Sequence, residues 1–485
     1  MQRWPALDNH QKKDGTKRQK RLLAVLVLIQ VCLVVGYLYF QANYWSRDTL
    51  YVIYQDSDRV MGSLSPYGPG FEKELVARFC AQNGFKARWI RVESFNEGLG
   101  MLQSGRGQLF ISEAINQDAG WDRVTRGPGY LSNQFMVTHH QWRFPLRSIA
   151  DLCSNRVVIP PKQVLSSKIS RLESELGCEI SLTPSPGSGQ NLFALLADRE
   201  NRFGLVDKLN FKLWHGFFPE VHRTYSFDTD YHYAWLWSAK YRDLDKLFVR
   251  FWEDMEDNPD FLDLKDRYFG FFPSEQDSYQ IRHFVRAIES RLPLYAETIL
   301  EASRIYGIDP LLLVALIYQE SHFDPEAESR TGVRGLLQLT LDTADFLGVQ
   351  NRLDPEQSIM GGAMYLDFLL ERVEDMGVTS WDKWFFTLAA YNQGLGHLYD
   401  AMELARRENK SSRSWTGLKE VYPLLSYRRY FETLPRGYAR GFEAVTFVEN
   451  IRFYYYLLYG MISISRPEVE HLGGFLGFVP DNWPD

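Results

Sequence analysis

The stretch Asp309-Pro310-Leu311-Leu312-Leu313-Val314-Ala315-Leu316-Ile317-Tyr318-Gln319-Glu320-Ser321 decides how the second half of the chain is read. Asp309 suits an N-cap and Pro310 suits the first helical position, where its missing N–H is no loss, so a helix begins at Pro310. That helix is apolar on nearly every side, which predicts burial. Glu320 closes it as a lone acid. The C-terminal end of a helix carries partial negative charge and apolar surroundings disfavour a carboxylate, so both effects predict a raised pKa. A carboxyl group kept protonated near neutral pH is what protonation of a leaving oxygen requires. On this segment alone, a solvated Glu at a fraying helix end explains the residue equally well.

At 485 residues the chain exceeds a single core, and its length predicts about two to four domains. The first 21 residues carry seven Lys or Arg against two Asp, a net of +5. With an overall formal charge of -7, the remainder stands at -12 (-7 minus +5). So acidic a body predicts no nucleic-acid partner. Leu22 to Phe40 is a 19-residue run with no charge, long enough to span a bilayer. The basic residues before it place residues 1–21 in the cytoplasm, and Tyr37, Tyr39, Tyr44 and Trp45 supply an aromatic belt on the far side. No small-x-small cleavage site follows the run, so an uncleaved anchor is expected over 22–40 rather than a signal peptide. Val31 ahead of Cys32 argues against lipidation. Cys80, Cys153 and Cys178 remain beyond the membrane, where a Cys153–Cys178 bridge is one option. No Cys-x-x-Cys, His-Glu-x-x-His or clustered His pattern occurs, so neither a metal nor a cofactor is expected.

The body divides by texture into α/β followed by all-α. Residues 49–272 alternate strand-like runs (Thr49–Tyr54, Ala87–Val92, Arg156–Pro160, Arg202–Asp207, Tyr233–Trp237) with amphipathic segments (Gly70–Asn83, Val164–Leu176), which predicts two α/β lobes. After the break Gly270-Phe271-Phe272-Pro273-Ser274 helical periodicity dominates, and residues 280–465 read as an all-helical domain. Residues 466–485, rich in Pro and Gly, are expected to be irregular.

Three segments of the helical half carry chemistry together. They are Glu320-Ser321-His322-Phe323 through Ser329 with Gly335-Leu336-Leu337-Gln338, then Ala389-Ala390-Tyr391-Asn392-Gln393-Gly394, then Gly441-Phe442-Glu443-Ala444-Val445-Thr446-Phe447-Val448. In that order and spacing they resemble the goose-lysozyme-like lytic transglycosylases, whose pattern is Glu-Ser, Gly-Leu-Met-Gln, Ala-Tyr-Asn-x-Gly. With the anchor and the α/β half in front, the chain resembles the membrane-bound lytic murein transglycosylase F group. The front half contributes Gly70-Phe71-Glu72, Leu102 to Leu109, and Asp122-Arg123 before Gly127-Pro128-Gly129-Tyr130. The resemblance implies a two-lobed, periplasmic-binding-protein-like module of the solute-binding family 3 kind over 49–272, then a lysozyme-like SLT domain over 280–465.

The implied reaction cleaves the β-1,4 bond between N-acetylmuramic acid and N-acetylglucosamine and leaves 1,6-anhydromuramyl ends, in cell-wall turnover. Ordinary glycosidases use two carboxylates. Here the muramyl 6-hydroxyl is the nucleophile, so Glu320 alone serves as acid and then base. Asp324, Glu326 and Glu328 read as solvated loop charges. The resemblance makes Ser329, Gln338, Tyr391 and Asn392 substrate-binding residues. Ser329 reads equally as a cap, Gln338 as a buried structural amide, and Tyr391 as a core aromatic. Arg123 aligns with the arginine that grips a ligand carboxylate in amino-acid-binding relatives, or is a surface residue. Gln108 stands where such modules carry Asp, Leu337 replaces a methionine, and Phe447 replaces a tyrosine near the acid. An aromatic content of 15% fits a protein that grips sugar rings. The expected partners are peptidoglycan glycan strands, the membrane, and an amino acid or muropeptide in the front module, with the catalytic domain in the periplasm. A hydrolytic muramidase and a non-catalytic ligand sensor are the alternatives.

Overall fold

The computed structural model describes residues 25–35, 48–112, 121–160, 166–185, 189–200, 203–274 and 277–475. Strand β1 (Thr49–Tyr54) buries Leu50, Val52 and Ile53 on its two faces, as a central parallel strand must. It pairs in parallel with β2 (Lys86–Arg91) and β3 (Leu109–Ile111). After β4 (Val124–Arg126) the chain leaves this lobe. The second lobe holds β5 (Leu131–His140), β6 (Arg156–Ile159), β7 (Ser181–Pro184), β8 (Phe203–Asp207) and β9 (Val221–Tyr233), and β10 (Trp235–Ser238) returns to the first. The sheet orders are β2-β1-β3-β10-β4 and β7-β6-β8-β5-β9. The chain therefore crosses between lobes twice, at Gly127–Tyr130 and at Ala234. Tyr233–Trp237, where the sequence suggests that the chain recrosses, is the junction of β9 and β10, and its halves pair in different sheets.

A buried polar cluster holds the crossings. The Glu72 carboxylate accepts from Arg59, from the Tyr130 hydroxyl and, at 2.9 Å, from the Trp235 indole N–H. Glu72 sits in the first lobe, while Tyr130 and Trp235 lie on the two crossing segments. Cys153 and Cys178 are joined by a disulfide, their Cα atoms 5.8 Å apart.

The helical half surrounds the helix Pro310–Ser321, which packs on the 23-residue helix Gly441–Ser463. Its hydrophobic core is continuous with the second lobe, reaching Phe193, Trp214 and Phe217. Arg452 stitches the halves together from a site only 1% exposed. Its guanidinium donates to the Asp266 carboxylate at 2.9 Å, to the Asp266 carbonyl at 2.8 Å and to Glu449 at 3.0 Å, and lies 4.2 Å from the Phe385 ring centre. Burial alone would raise the Asp266 pKa, but Arg452 and Lys419 beside it hold it below the ordinary value. The Tyr67 hydroxyl of the front half donates to the Arg452 carbonyl at 2.8 Å.

One sequence expectation changes, and another falls largely outside the described residues. Residues 466–485 were expected irregular, yet Pro467–Phe475 forms a 3-10 helix, because Val469, Leu472 and Phe475 find space in the core. Of the anchor expected over 22–40, residues 25–35 are helical with exposed apolar side chains and the rest lies outside the described residues. Among the described residues no helix is long and apolar enough to cross a membrane.

Arg452→Leu leaves Asp266 and Glu449 to share Lys419 and removes a buried partner from both, so urea unfolding should show a loss of about 3–5 kcal/mol. Adding Asp266→Asn and Glu449→Gln should recover part of it; no recovery would mean that packing, not charge, dominates there.

Candidate active site

The site is built from the helix Pro310–Ser321 outward. The Asp309 carboxylate caps it, accepting from the N–H groups of Leu311 (2.7 Å) and Leu312 (3.2 Å) and from the Tyr455 hydroxyl (3.1 Å). Burial nevertheless pushes Asp309 up to about 6. Every residue from Pro310 to Tyr318 is buried. At the other end His322 (φ 52°) and Phe323 (φ 60°) are left-handed, so the chain turns away at once and leaves the last turn facing a cleft.

That cleft has a volume of about 420 Å³ and is lined by Gln319, Glu320, Asn392, Phe442, Glu443, Thr446 and Phe447. Glu320 is half-buried and, among the described residues, has neither hydrogen bond nor ion pair. Desolvation pushes its pKa to about 8. A proton is thus held at neutral pH on a group that still faces the open cleft, the condition of a general acid. Glu443, the second carboxylate of the cleft, sits beside Arg440 at 3.5 Å.

The remaining sequence candidates fall into two groups. Asn392 lines the cleft, its Oδ1 accepting from the Gln393 amide at 2.8 Å. The Tyr391 hydroxyl donates to the Leu337 carbonyl at 2.7 Å. Burial, then the Glu320 carboxylate, push its pKa well above the ordinary value. Tyr391, expected to face the cleft, does not line it, and neither do Gln338 and Ser329. Gln338 (φ 46°) turns its amide nitrogen onto the Ala327 and Gly335 carbonyls, at 2.9 and 2.8 Å. Ser329 Oγ bonds the Thr331 hydroxyl at 2.9 Å and accepts from the N–H of Thr331 and Val333. Both brace the loop between Glu320 and Tyr391. Gly335 (φ 81°) is required there, since a Cβ would collide with the Arg352 carbonyl.

Phe447 is buried against the cleft. Arg123 is exposed on a turn beside Asp122 at 3.5 Å, and residues 113–120 before it lie outside the described residues. Glu443 and Thr446 escaped selection as site residues. Their signal is the i, i+3, i+4 spacing with Phe447, which puts all three on one face of the Gly441–Ser463 helix.

A group that must be protonated to act predicts a kcat/KM that falls about tenfold per pH unit above about 8. The stability consequence has the same sign. Unfolded, the carboxyl titrates near its ordinary 4.5, so between 4.5 and about 8 the unfolded chain sheds a proton that the folded chain keeps. Wild type should therefore lose stability over that window relative to Glu320→Gln. Thermal melts of both proteins at pH 5 and 8 check this, and a constant difference between them would refute the raised pKa.

Residues 297–414 match the family model described as Transglycosylase SLT domain. The membrane-bound lytic murein transglycosylase F of Photobacterium profundum is 34% identical over 401 residues, 81% of this chain and 76% of that protein. That of Shewanella sediminis is 33% identical over 390 residues, 80% of each. Among solved structures the chain is similar to an ancestral arginine-binding protein bound to arginine, with a TM-score of 0.40 and 15% identity over 47% of this chain and 100% of that one. The chain belongs to the membrane-bound lytic murein transglycosylase F family and is a peptidoglycan lytic transglycosylase.

Proposed function

We propose that Glu320 is the one acid and base of this reaction. Its proton passes to the oxygen linking N-acetylmuramic acid to N-acetylglucosamine, and that bond breaks. The muramyl 6-hydroxyl then attacks the anomeric carbon, and the Glu320 carboxylate takes the hydroxyl proton. A 1,6-anhydro ring closes, Glu320 is again protonated, and no water is consumed. The observation that carries this reading is a desolvated carboxyl, free of counter-charge among the described residues, at the wall of an open cleft.

Asn392 contacts the sugar from the cleft wall, and Tyr391 orients the acid's surroundings. Gln338 and Ser329 act on substrate through the loop they brace, with the Gln338 amide oxygen available to the glycan. The boundaries 49–272 and 280–465 mark the binding-type module and the catalytic domain. Residues 22–40 anchor the chain, leaving the catalytic domain in the periplasm; membrane-bound relatives and the basic-then-apolar N-terminus support this. The front module takes an amino acid or muropeptide, with Arg123 a candidate for its carboxylate, and biases the catalytic domain.

Hydrolysis is the second reading, because Glu443 puts another carboxylate in the cleft. Mass analysis of digested murein separates the two. Anhydromuramyl ends are expected, and Glu320→Gln should cut their formation about 10²–10⁴-fold. Reducing ends would favour hydrolysis, and undiminished lysis by the variant would remove Glu320 from the chemistry.

A further inference from the structure

Three large aromatic side chains stand half in water on one short segment beside the cleft. Tyr427 is 51% exposed, Tyr438 56% and Phe442 55%. Phe442 lines the cleft that holds Glu320, and the Tyr427 ring stands edge-on to it, centroids 6.5 Å apart and planes at 70°. The exposed aromatic surface therefore continues outward from the reacting centre.

The backbone beneath these rings is pinned. The Tyr427 N–H donates to the Leu424 carbonyl at 2.9 Å, and its carbonyl accepts from Tyr430 at 3.0 Å. Ser426 Oγ donates to the Ala439 carbonyl at 3.0 Å, and the Ala439 N–H to the Leu425 carbonyl at 3.2 Å. Gly441 lies so close to the Tyr422 carbonyl that a Cβ would overlap it. The start of the Phe442 helix and the turn before Tyr427 are therefore locked together, which fixes the backbone from which both rings project. A contiguous aromatic patch left in water on a fixed backbone is characteristic of a recognition site.

We propose that Tyr427 and Phe442 form an accessory saccharide subsite, which stacks a pyranose ring of the same glycan strand at a distance from the bond cut at Glu320. A β-1,4-linked sugar with equatorial substituents presents C–H groups on its ring faces, the apolar complement of an aromatic face. A glycan is chosen as occupant because the surface is continuous with a cleft that already takes one. The proposal rests on Glu320 marking the reacting centre. It adds that strands long enough to reach Tyr427 bind better than shorter ones.

The test measures binding rather than turnover, so that failure of the reaction reading does not obscure it. In the full chain carrying Glu320→Gln, affinities are measured by calorimetry for peptide-free murein glycan strands and for a tetrasaccharide. Tyr427→Ala should lower affinity for the long strands about five- to tenfold, roughly 1–1.4 kcal/mol. It should leave the ratio of long to short affinities correspondingly reduced, and Tyr427→Trp should restore it. Tyr427→Gln, similar in length but without a ring, should behave like Tyr427→Ala and guards against a folding defect, which melting curves would reveal. An unchanged ratio, or equal losses on long and short ligands, would overturn the proposal.

Discussion

A helix buried on all sides, ending in a carboxylic acid, is the constraint on which the molecule depends. The nine residues from Pro310 to Tyr318 expose almost nothing, so the helical half must wrap around them. The helix N-terminus is consequently deep in protein, where its orphan N–H groups have no water, and Asp309 supplies the acceptor. Tyr455 in turn steadies Asp309 from the long helix that ends the domain. The same burial that demands a cap at one end keeps a proton on Glu320 at the other. Stability and acidity therefore have a common origin in the apolar run.

The front half is attached to this framework by core-like contacts rather than by a linker. A shared hydrophobic cluster, the buried Arg452 network and the Tyr67 and Tyr456 hydroxyls all cross between the halves. Arg452 suits the position because its fork reaches Asp266 and Glu449 together while its planar face lies on Phe385. Gly216 has no side chain where Leu457 approaches, which allows the second lobe to sit directly on the long helix. Interfaces of this kind resist hinge motion more than the polar contacts usual between domains.

What was legible in the sequence followed from periodicity and local chemistry. Asp309-Pro310 announces a capped helix start, the apolar run announces burial, and Glu320 stands out because nothing around it shares its polarity. Asn392 faces the cleft where a Gly ends its helix, whereas Tyr391 is the core aromatic that the same pattern also allows, with its hydroxyl on the Leu337 carbonyl. What pattern does not encode is the direction of a side chain in an irregular loop. Gln338 and Ser329, substrate-binding residues by resemblance but equally a structural amide and a cap by pattern, turn their hydrogen bonds into the loop itself through a left-handed backbone at Gln338 and a Ser329-Thr331 turn. Pro467–Phe475 was misread for a related reason, since Pro and Gly mark breaks but do not tell where three spaced apolar residues will dock.

Phe447 bears directly on the acid. A tyrosine at this position, which the resemblance would lead one to expect, has a hydroxyl able to donate to the carboxylate form of a neighbouring acid and so lower its pKa. Phe447 has no such donor and lines the same cleft as Glu320, whose raised pKa arises from desolvation. In the proposed reaction a phenyl ring at 447 offers the ionised Glu320 no donor, which suits the step in which that residue must hold a proton. In the proposed mechanism a single carboxyl serves both steps, so the balance between them is set by how dry its surroundings are, and an apolar ring at 447 keeps them dry.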